Sequence, residues 1–165
     1  MQNVVIIGAG NVAHHLGATI KNAGLDINFA QDNQSFSSKG VVRGLHFQNP
    51  PFAQGKLVRV LKGSVLDVAV DIRKNSPSYG KHVSVLLSRE NKTMFWIPPG
   101  FAHGFSTLED NTMFSYKCSG VYNKESEGSL MWNDTDLNID WQIKNPIISE
   151  KDQNSELFAN FKTQF

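Results

Sequence analysis

Val65-Leu66-Asp67-Val68-Ala69-Val70-Asp71-Ile72 alternates: its even positions are all aliphatic, and its odd positions mix Val65 and Ala69 with two aspartates. Successive side chains of a strand point to opposite faces, so this stretch reads as a β-strand with one face in a core. Outward from it, residues 41–48, 56–62, 83–87, 94–97, 101–107 and 112–117 are further strand candidates. Turn material separates them: Lys62-Gly63-Ser64, Asn75-Ser76-Pro77, Arg89-Glu90-Asn91 and Pro98-Pro99-Gly100. Strands at this spacing with no helical stretch between them predict a mainly β, antiparallel sandwich or barrel. In the tail, Leu157, Phe158 and Phe161 fall at helical spacing, which predicts a short docking helix over 154–165.

A chain of 165 residues with 40% hydrophobic and 19% charged residues can bury the core such a fold needs. Sixteen Lys and Arg against fifteen Asp and Glu leave a net charge of +1, so no basic field points to nucleic acid or a membrane surface. The apolar opening run, Val4 to Ile7, is too short to span a bilayer or to serve as a secretory leader. The single cysteine, Cys118, excludes an internal disulfide framework and a multi-cysteine zinc site. These features imply a cytoplasmic protein.

Residues 3–22 follow another pattern. Val4 to Ile7 is a continuous β-branched run, as in a buried parallel strand. Gly8-Ala9-Gly10 then turns the chain, and Val12, Leu16 and Ile20 are spaced as on a helix, with Gly24 at the expected stop. Gly8-Ala9-Gly10-Asn11-Val12-Ala13 has the G-x-G-x-x-A form that can cradle a dinucleotide pyrophosphate. The antiparallel context that follows it argues instead for structural glycines and no bound cofactor.

Three segments could carry chemistry. In Arg43-Gly44-Leu45-His46-Phe47-Gln48, alternation sends Arg43 and His46 to opposite faces. Both can serve one site only if Gly44 allows a bulge, or if Arg43 serves a neighbouring subunit. In Trp96-Ile97-Pro98-Pro99-Gly100-Phe101-Ala102-His103-Gly104-Phe105, His103 shares a face with Phe101 and Phe105. No H-x-H pair accompanies it, so no metal site is expected. Tyr116 shares the Phe114 face and is either a core residue or a proton donor.

In order along the chain stand Gln31-Asp32-Asn33, Ser37-Ser38-Lys39-Gly40, Arg43 to Gln48, Gln54-Gly55-Lys56-Leu57-Val58-Arg59-Val60, Gly63 and Asp67 to Asp71. Trp96 to Phe105, Tyr116-Lys117, Trp132 and Ser149-Glu150-Lys151-Asp152 follow. Over roughly residues 24–152 this series resembles the dTDP-4-dehydrorhamnose 3,5-epimerases. The resemblance implies a cupin-like jelly-roll barrel, a homodimer, and epimerisation at C3 and C5 of a dTDP-linked 4-keto-6-deoxyhexose without metal or organic cofactor. By position it makes His46 the base, Asp152 its partner and Tyr116 the acid on the opposite face. Lys56, with Arg43, would stabilise the enolate oxygen or neighbouring groups. It places Gln31, Asp32, Asn33, Arg43, His103, Glu127 and Lys151 on the substrate. A carbon acid beside a ketone calls for these types: a base near neutrality, a cation at the developing enolate, and an opposed acid if configuration is to invert.

The resemblance departs at the front. The family's opening strands, with an Asp-x-Arg-Gly-Phe-type motif, are replaced by the Rossmann-like stretch. The implied organisation is a βα fragment over 1–23 joined to a cupin-like domain over 24–165. Such a replacement would leave an open sheet edge unless the new segment packs there. Val121 also precedes Tyr122 where the family commonly has two tyrosines. A single-carbon epimerase or ketoisomerase on the same barrel, and a non-catalytic nucleotide-sugar-binding barrel, are the alternative readings.

Overall fold

The computed structural model describes the strand Val5–Ile7 and residues 27–165. Among the described residues, eleven strands build two facing sheets. The first holds β1 (Val5–Ile7), β7 (Met94–Ile97), β4 (Lys56–Lys62), β9 (Thr112–Cys118) and β2 (Gln31–Ser37), in that spatial order. The second runs β10 (Glu127–Ser129), β3 (Val41–Gln48), β8 (Phe101–Thr107), β5 (Ser64–Asp71) and β6 (His82–Ser88), with β11 (Ile147–Ile148) also on β3. All pairs are antiparallel except β11 with β3. The result is the expected jelly-roll-like barrel. Four predicted strands, 41–48, 56–62, 94–97 and 101–107, have the observed bounds. Among the described residues no helix is long and apolar enough to cross a membrane.

The expectation for β5 needs correction: both of its faces lie in core, and all eight residues are buried. The even face, Leu66, Val68 and Val70, packs with Val42, Leu45, Phe47, Leu130, Leu137 and Trp141, so the C-terminal segment covers that side. The odd face, Val65 and Ala69, meets Val58, Val60, Phe95, Ile97, Phe105 and Phe114 between the sheets. The two aspartates on this face survive burial because each has partners. Asp67 meets His103, and Asp71 accepts from the Arg73 backbone N–H (3.0 Å), Arg73 Nε (2.9 Å) and Nη2 (2.6 Å), and the Ser76 and Ser78 hydroxyls.

Burial works to raise the Asp71 carboxyl, but the bonds from Arg73, Ser76 and Ser78 outweigh it and hold the group below the usual range. A carboxylate with a depressed folded value stabilises the fold above its unfolded value, about 3.9, and that contribution fades as pH falls towards the folded value. Asp71→Asn leaves Arg73 facing an amide and should cost about 3–5 kcal/mol at neutral pH. Urea titrations from pH 7 down to pH 3 check this: the gap between wild type and variant should narrow in acid.

The predicted helix over 154–165 is also corrected. The helix, α1, is Glu150–Gln153, and the tail beyond it is irregular. It does dock: Phe158, Phe161 and Phe165 pack against the outer core, with Phe161 on Phe47 at 5.3 Å and Phe158 beside Tyr79 at 5.2 Å. So short a helix has little stability of its own, and separate ring slots decide the path instead.

The front of the chain brings a third correction. Val5–Ile7 is a strand, yet it pairs antiparallel with β7, Val5 opposite Trp96 and Ile7 opposite Met94. It therefore lies at the edge of an antiparallel sheet and not in the parallel setting its β-branched run suggested, and it packs on the edge that would otherwise stand open. The glycine turn and helix expected over 8–22 lie outside the described residues.

Candidate active site

Whether Arg43 and His46 share a face is decided by a bulge. The β3–β8 register shifts between Arg43 and His46, and Gly44 sits there at φ +126. Before the shift Val42 lies in the outer core; after it Leu45 and Phe47 do. Arg43 and His46, on either side of the extra residue, both turn inward, so the bulge alternative holds and no second subunit is needed to bring Arg43 in. Only glycine suits this point. A Cβ on Gly44 would lie 2.5 Å from the Gly104 Cα and 2.9 Å from the His103 carbonyl oxygen. Gly44→Ala must part β3 from β8 and displace His46; we expect a loss of about 1–3 kcal/mol and weaker activity, read by thermal melts and turnover.

The inward face holds a cleft of about 230 Å³ lined by Ser35, Arg43, His46, Lys56, His103, Gly104, Phe105, Phe114 and Tyr116. Four strands supply these chemical groups. β3 brings Arg43 and His46; β8 places His103 directly opposite His46; β4 brings Lys56; and β9 brings Tyr116 opposite Val58 and Asn33. Phe105 stacks on Phe114 at 4.3 Å and makes one wall apolar.

Behind His46 lies Asp152, buried on α1. Its Oδ1 accepts from His46 Nε2 at 2.6 Å, and its own backbone N–H is capped by Ser149 Oγ at 3.1 Å. Burial works to raise this carboxyl, but the His46 bond and charge, with the Gly44 and Ser149 hydrogen bonds, hold it low and ionised. An acceptor on Nε2 fixes the tautomer and leaves Nδ1 as the basic nitrogen.

Across the cleft, burial and the nearby Cys118 thiol push the Tyr116 phenol up against the pull of Arg43, so it keeps its proton. Its hydroxyl makes no hydrogen bond to the described residues. Burial pushes the Lys56 ammonium down, while Cys118, Asp67 and Glu127 pull it back. Its Nζ donates to the His46 carbonyl at 3.4 Å.

Other predicted site residues divide. His103 lines the cleft, and Asp67 holds its Nε2 at 3.0 and 3.1 Å. Arg43 donates to Ser37 Oγ from Nε and Nη2 at 3.3 Å. Gln31 donates to Asn33 at 2.8 Å, and both lie on the inner face of β2. Glu127 and Lys151 meet each other at 2.6 Å and are not among the residues lining the cleft. Asp32 is not brought to the cleft: its side chain, 62% exposed, lies on the outer face and forms an ion pair there with Lys117 opposite.

Sequence reasoning missed Asp67 as a site residue. A signal existed, an acid between Val65 and Ala69 on the odd face of β5, but finding its partner required the β5–β8 register. Tyr122 was also missed; its hydroxyl donates to Glu127 at 3.0 Å. Among the described residues no group of three or more His, Cys, Asp or Glu is placed to hold a metal ion.

Comparison with known proteins points to one family. Residues 13–160 match the family model described as dTDP-4-dehydrorhamnose 3,5-epimerase, a match that begins inside the 1–23 segment. The chain is 53% identical over 137 residues to the Shigella flexneri dTDP-4-dehydrorhamnose 3,5-epimerase, covering 83% of this chain and 76% of that protein. Two crystal structures superimpose with a TM-score of 0.88. The enzyme of that name from Elizabethkingia anophelis is 46% identical, with 96% and 92% of the chains covered. A dTDP-6-deoxy-D-glucose-3,5-epimerase from Legionella pneumophila, solved with dTDP-4-keto-L-rhamnose, is 43% identical, with 96% and 89% covered.

Proposed function

Because the chain belongs to the dTDP-4-dehydrorhamnose 3,5-epimerase family, we propose that its barrel cleft performs that family's reaction with His46 as base and Tyr116 as opposing acid. The protein is an isomerase; the roles of individual residues are our reading of the geometry. The observation that carries it is the placing of a carboxylate-bound histidine, a protonated phenol and a lysine around one partly apolar cleft.

The substrate is dTDP-4-dehydro-6-deoxy-D-glucose. C3 and C5 both flank its C4 ketone, so one cation at O4 acidifies the hydrogen on either. His46 Nδ1 takes that proton, and the C–H electron pair moves into an enolate whose oxygen the Lys56 ammonium stabilises. Asp152, already ionised, stabilises the imidazolium without itself taking the proton. Tyr116 gives its phenolic proton to the carbon from the other face, the enolate returns to ketone, and the centre is inverted. Proton exchange between the two groups and water resets the site. Repetition at the second carbon gives dTDP-4-dehydro-L-rhamnose.

Arg43, with Gln31 and Asn33 on the open side of the cleft, suits the polar part of a nucleotide-sugar, and His103, fixed by Asp67, suits a sugar hydroxyl or carbonyl. We assign Glu127 and Lys151 to the mouth, where the nucleotide enters. Asp32, on the outer face, has no role in its own chain's cleft. A homodimer is the assembly we propose, checked by analytical ultracentrifugation.

Proton NMR of dTDP-4-keto-6-deoxyglucose in D2O tests the reading. With protein present, deuterium should enter at both C3 and C5. Exchange at one carbon alone would make the protein a single-carbon epimerase, and none from a folded sample would remove the enzymatic reading.

A further inference from the structure

α1 has only four residues, Glu150–Gln153, yet it carries the carboxylate on which the base depends. A helix this short does not hold its own geometry. Its two central side chains diverge: Asp152 turns inward to His46, while Lys151 turns outward and meets Glu127 Oε2 at 2.6 Å. Glu127 is well placed as an anchor. It opens β10, which pairs with β3 so that Glu127 faces Gln48 and Ser129 faces His46. Two consecutive residues of the helix thus reach the strand of the base and the strand beside it.

The same Glu127 oxygen accepts the Tyr122 hydroxyl at 3.0 Å. Tyr122 is itself held in place, because its N–H donates to Gln31 Oε1 at 3.0 Å. The residues flanking it are tied to Gln48, through the Val121 carbonyl at 3.3 Å and the Asn123 N–H at 2.7 Å. Burial works to raise the Glu127 carboxyl, but the bonds from Lys151 and Tyr122 prevail and keep it ionised.

We propose that Lys151, Glu127 and Tyr122 form a clasp that fixes α1 and thereby positions Asp152 on His46 before substrate arrives. This rests on the assignment of His46 as base. The three are positioning residues, since they act on the reacting carbon through Asp152 and His46. The role is separate from any contact they make with the nucleotide. Exposed ion pairs contribute little to global stability, so opening the clasp should leave the fold intact. Its cost should fall on turnover, because small displacements of a catalytic pair are expensive.

The test uses Lys151→Ala, Glu127→Ala, their double mutant and Lys151→Arg, with two readouts. In the substrate-free protein, the proton shared by His46 and Asp152 gives a far-downfield NMR resonance, assigned by its loss in Asp152→Asn. We expect Lys151→Ala to broaden or remove it and to lower kcat about 10-fold, with KM changed less. Lys151→Arg should restore both. The double mutant should be no slower than the slower single, since two halves of one clasp are not additive. A Lys151→Ala protein whose loss is confined to KM, or whose resonance is unchanged, overturns the proposal and leaves Lys151 a substrate contact. Additive losses in the double mutant overturn it as well, and the kinetic arm decides the matter without the resonance. If instead His46→Asn keeps full activity, the His46 assignment has failed, a result distinct from failure of the clasp.

Discussion

His46→Asn should abolish deuterium entry at both C3 and C5 of dTDP-4-keto-6-deoxyglucose and lower kcat by about 10⁴-fold. Removing the base stops the only step that breaks a C–H bond, so exchange and inversion disappear together. Asparagine keeps much of the shape of the ring and leaves Asp152 an amide to bind, so the fold should persist. KM should change little, because the cations and polar groups proposed to hold the nucleotide are untouched. Asp152→Asn should be milder and different in kind. It retains the imidazole but withdraws the acceptor that fixes its tautomer, so exchange slows at both carbons without vanishing. If His46→Asn still exchanged the C3 proton at the wild-type rate, another base would have to be sought, and His103, directly opposite, would be the first to try.

Much of this was legible before any coordinates. Alternation at Val65–Ile72 and turn residues at Gly63 and Pro98-Pro99-Gly100 gave the strands, because both are local signals. What lay out of reach was non-local. Whether the odd face of β5 meets solvent or a second core depends on which strands stand across from it, and Asp67 and Asp71 look like solvent-facing residues until His103 and Arg73 are placed beside them. The tail misled for a related reason: Leu157, Phe158 and Phe161 have helical spacing, but Leu157 is exposed while the Phe158 ring goes to Tyr79 and the Phe161 ring to Phe47. Among the residues lining the cleft, Arg43, His46, Lys56, His103 and Tyr116 are picked out by the ordered series of motifs, and so is the pair of alternatives at Gly44. Choosing between them required the register shift that turns Arg43 and His46 to the same side. The position of Asp32 was not readable, since which face of β2 looks inward is set by its pairing with β9.

Tyr116→Phe should separate two events that coincide in the wild type. His46 remains on its side of the cleft with Asp152 behind it, so it still removes the proton, and in D2O it returns a deuteron to the face it came from. Deuterium should therefore enter at C3 and C5 with configuration retained, while conversion to the L-rhamnose configuration falls about 10²- to 10³-fold. The substitution removes one oxygen and leaves the ring against Phe114, with centroids 6.0 Å apart in the wild type. Because the hydroxyl makes no hydrogen bond to the described residues, no partner is stranded by its loss and stability should be close to wild type. The two variants together test the geometry of opposed faces more sharply than either alone. With His46→Asn neither event occurs; with Tyr116→Phe only exchange does. A Tyr116→Phe protein that lost exchange and inversion in parallel would show that the phenol acts before or during proton removal, for instance at the enolate oxygen. A protein that kept both would assign the second proton to another donor, with Lys56, whose ammonium burial already pushes towards release of its proton, next in line.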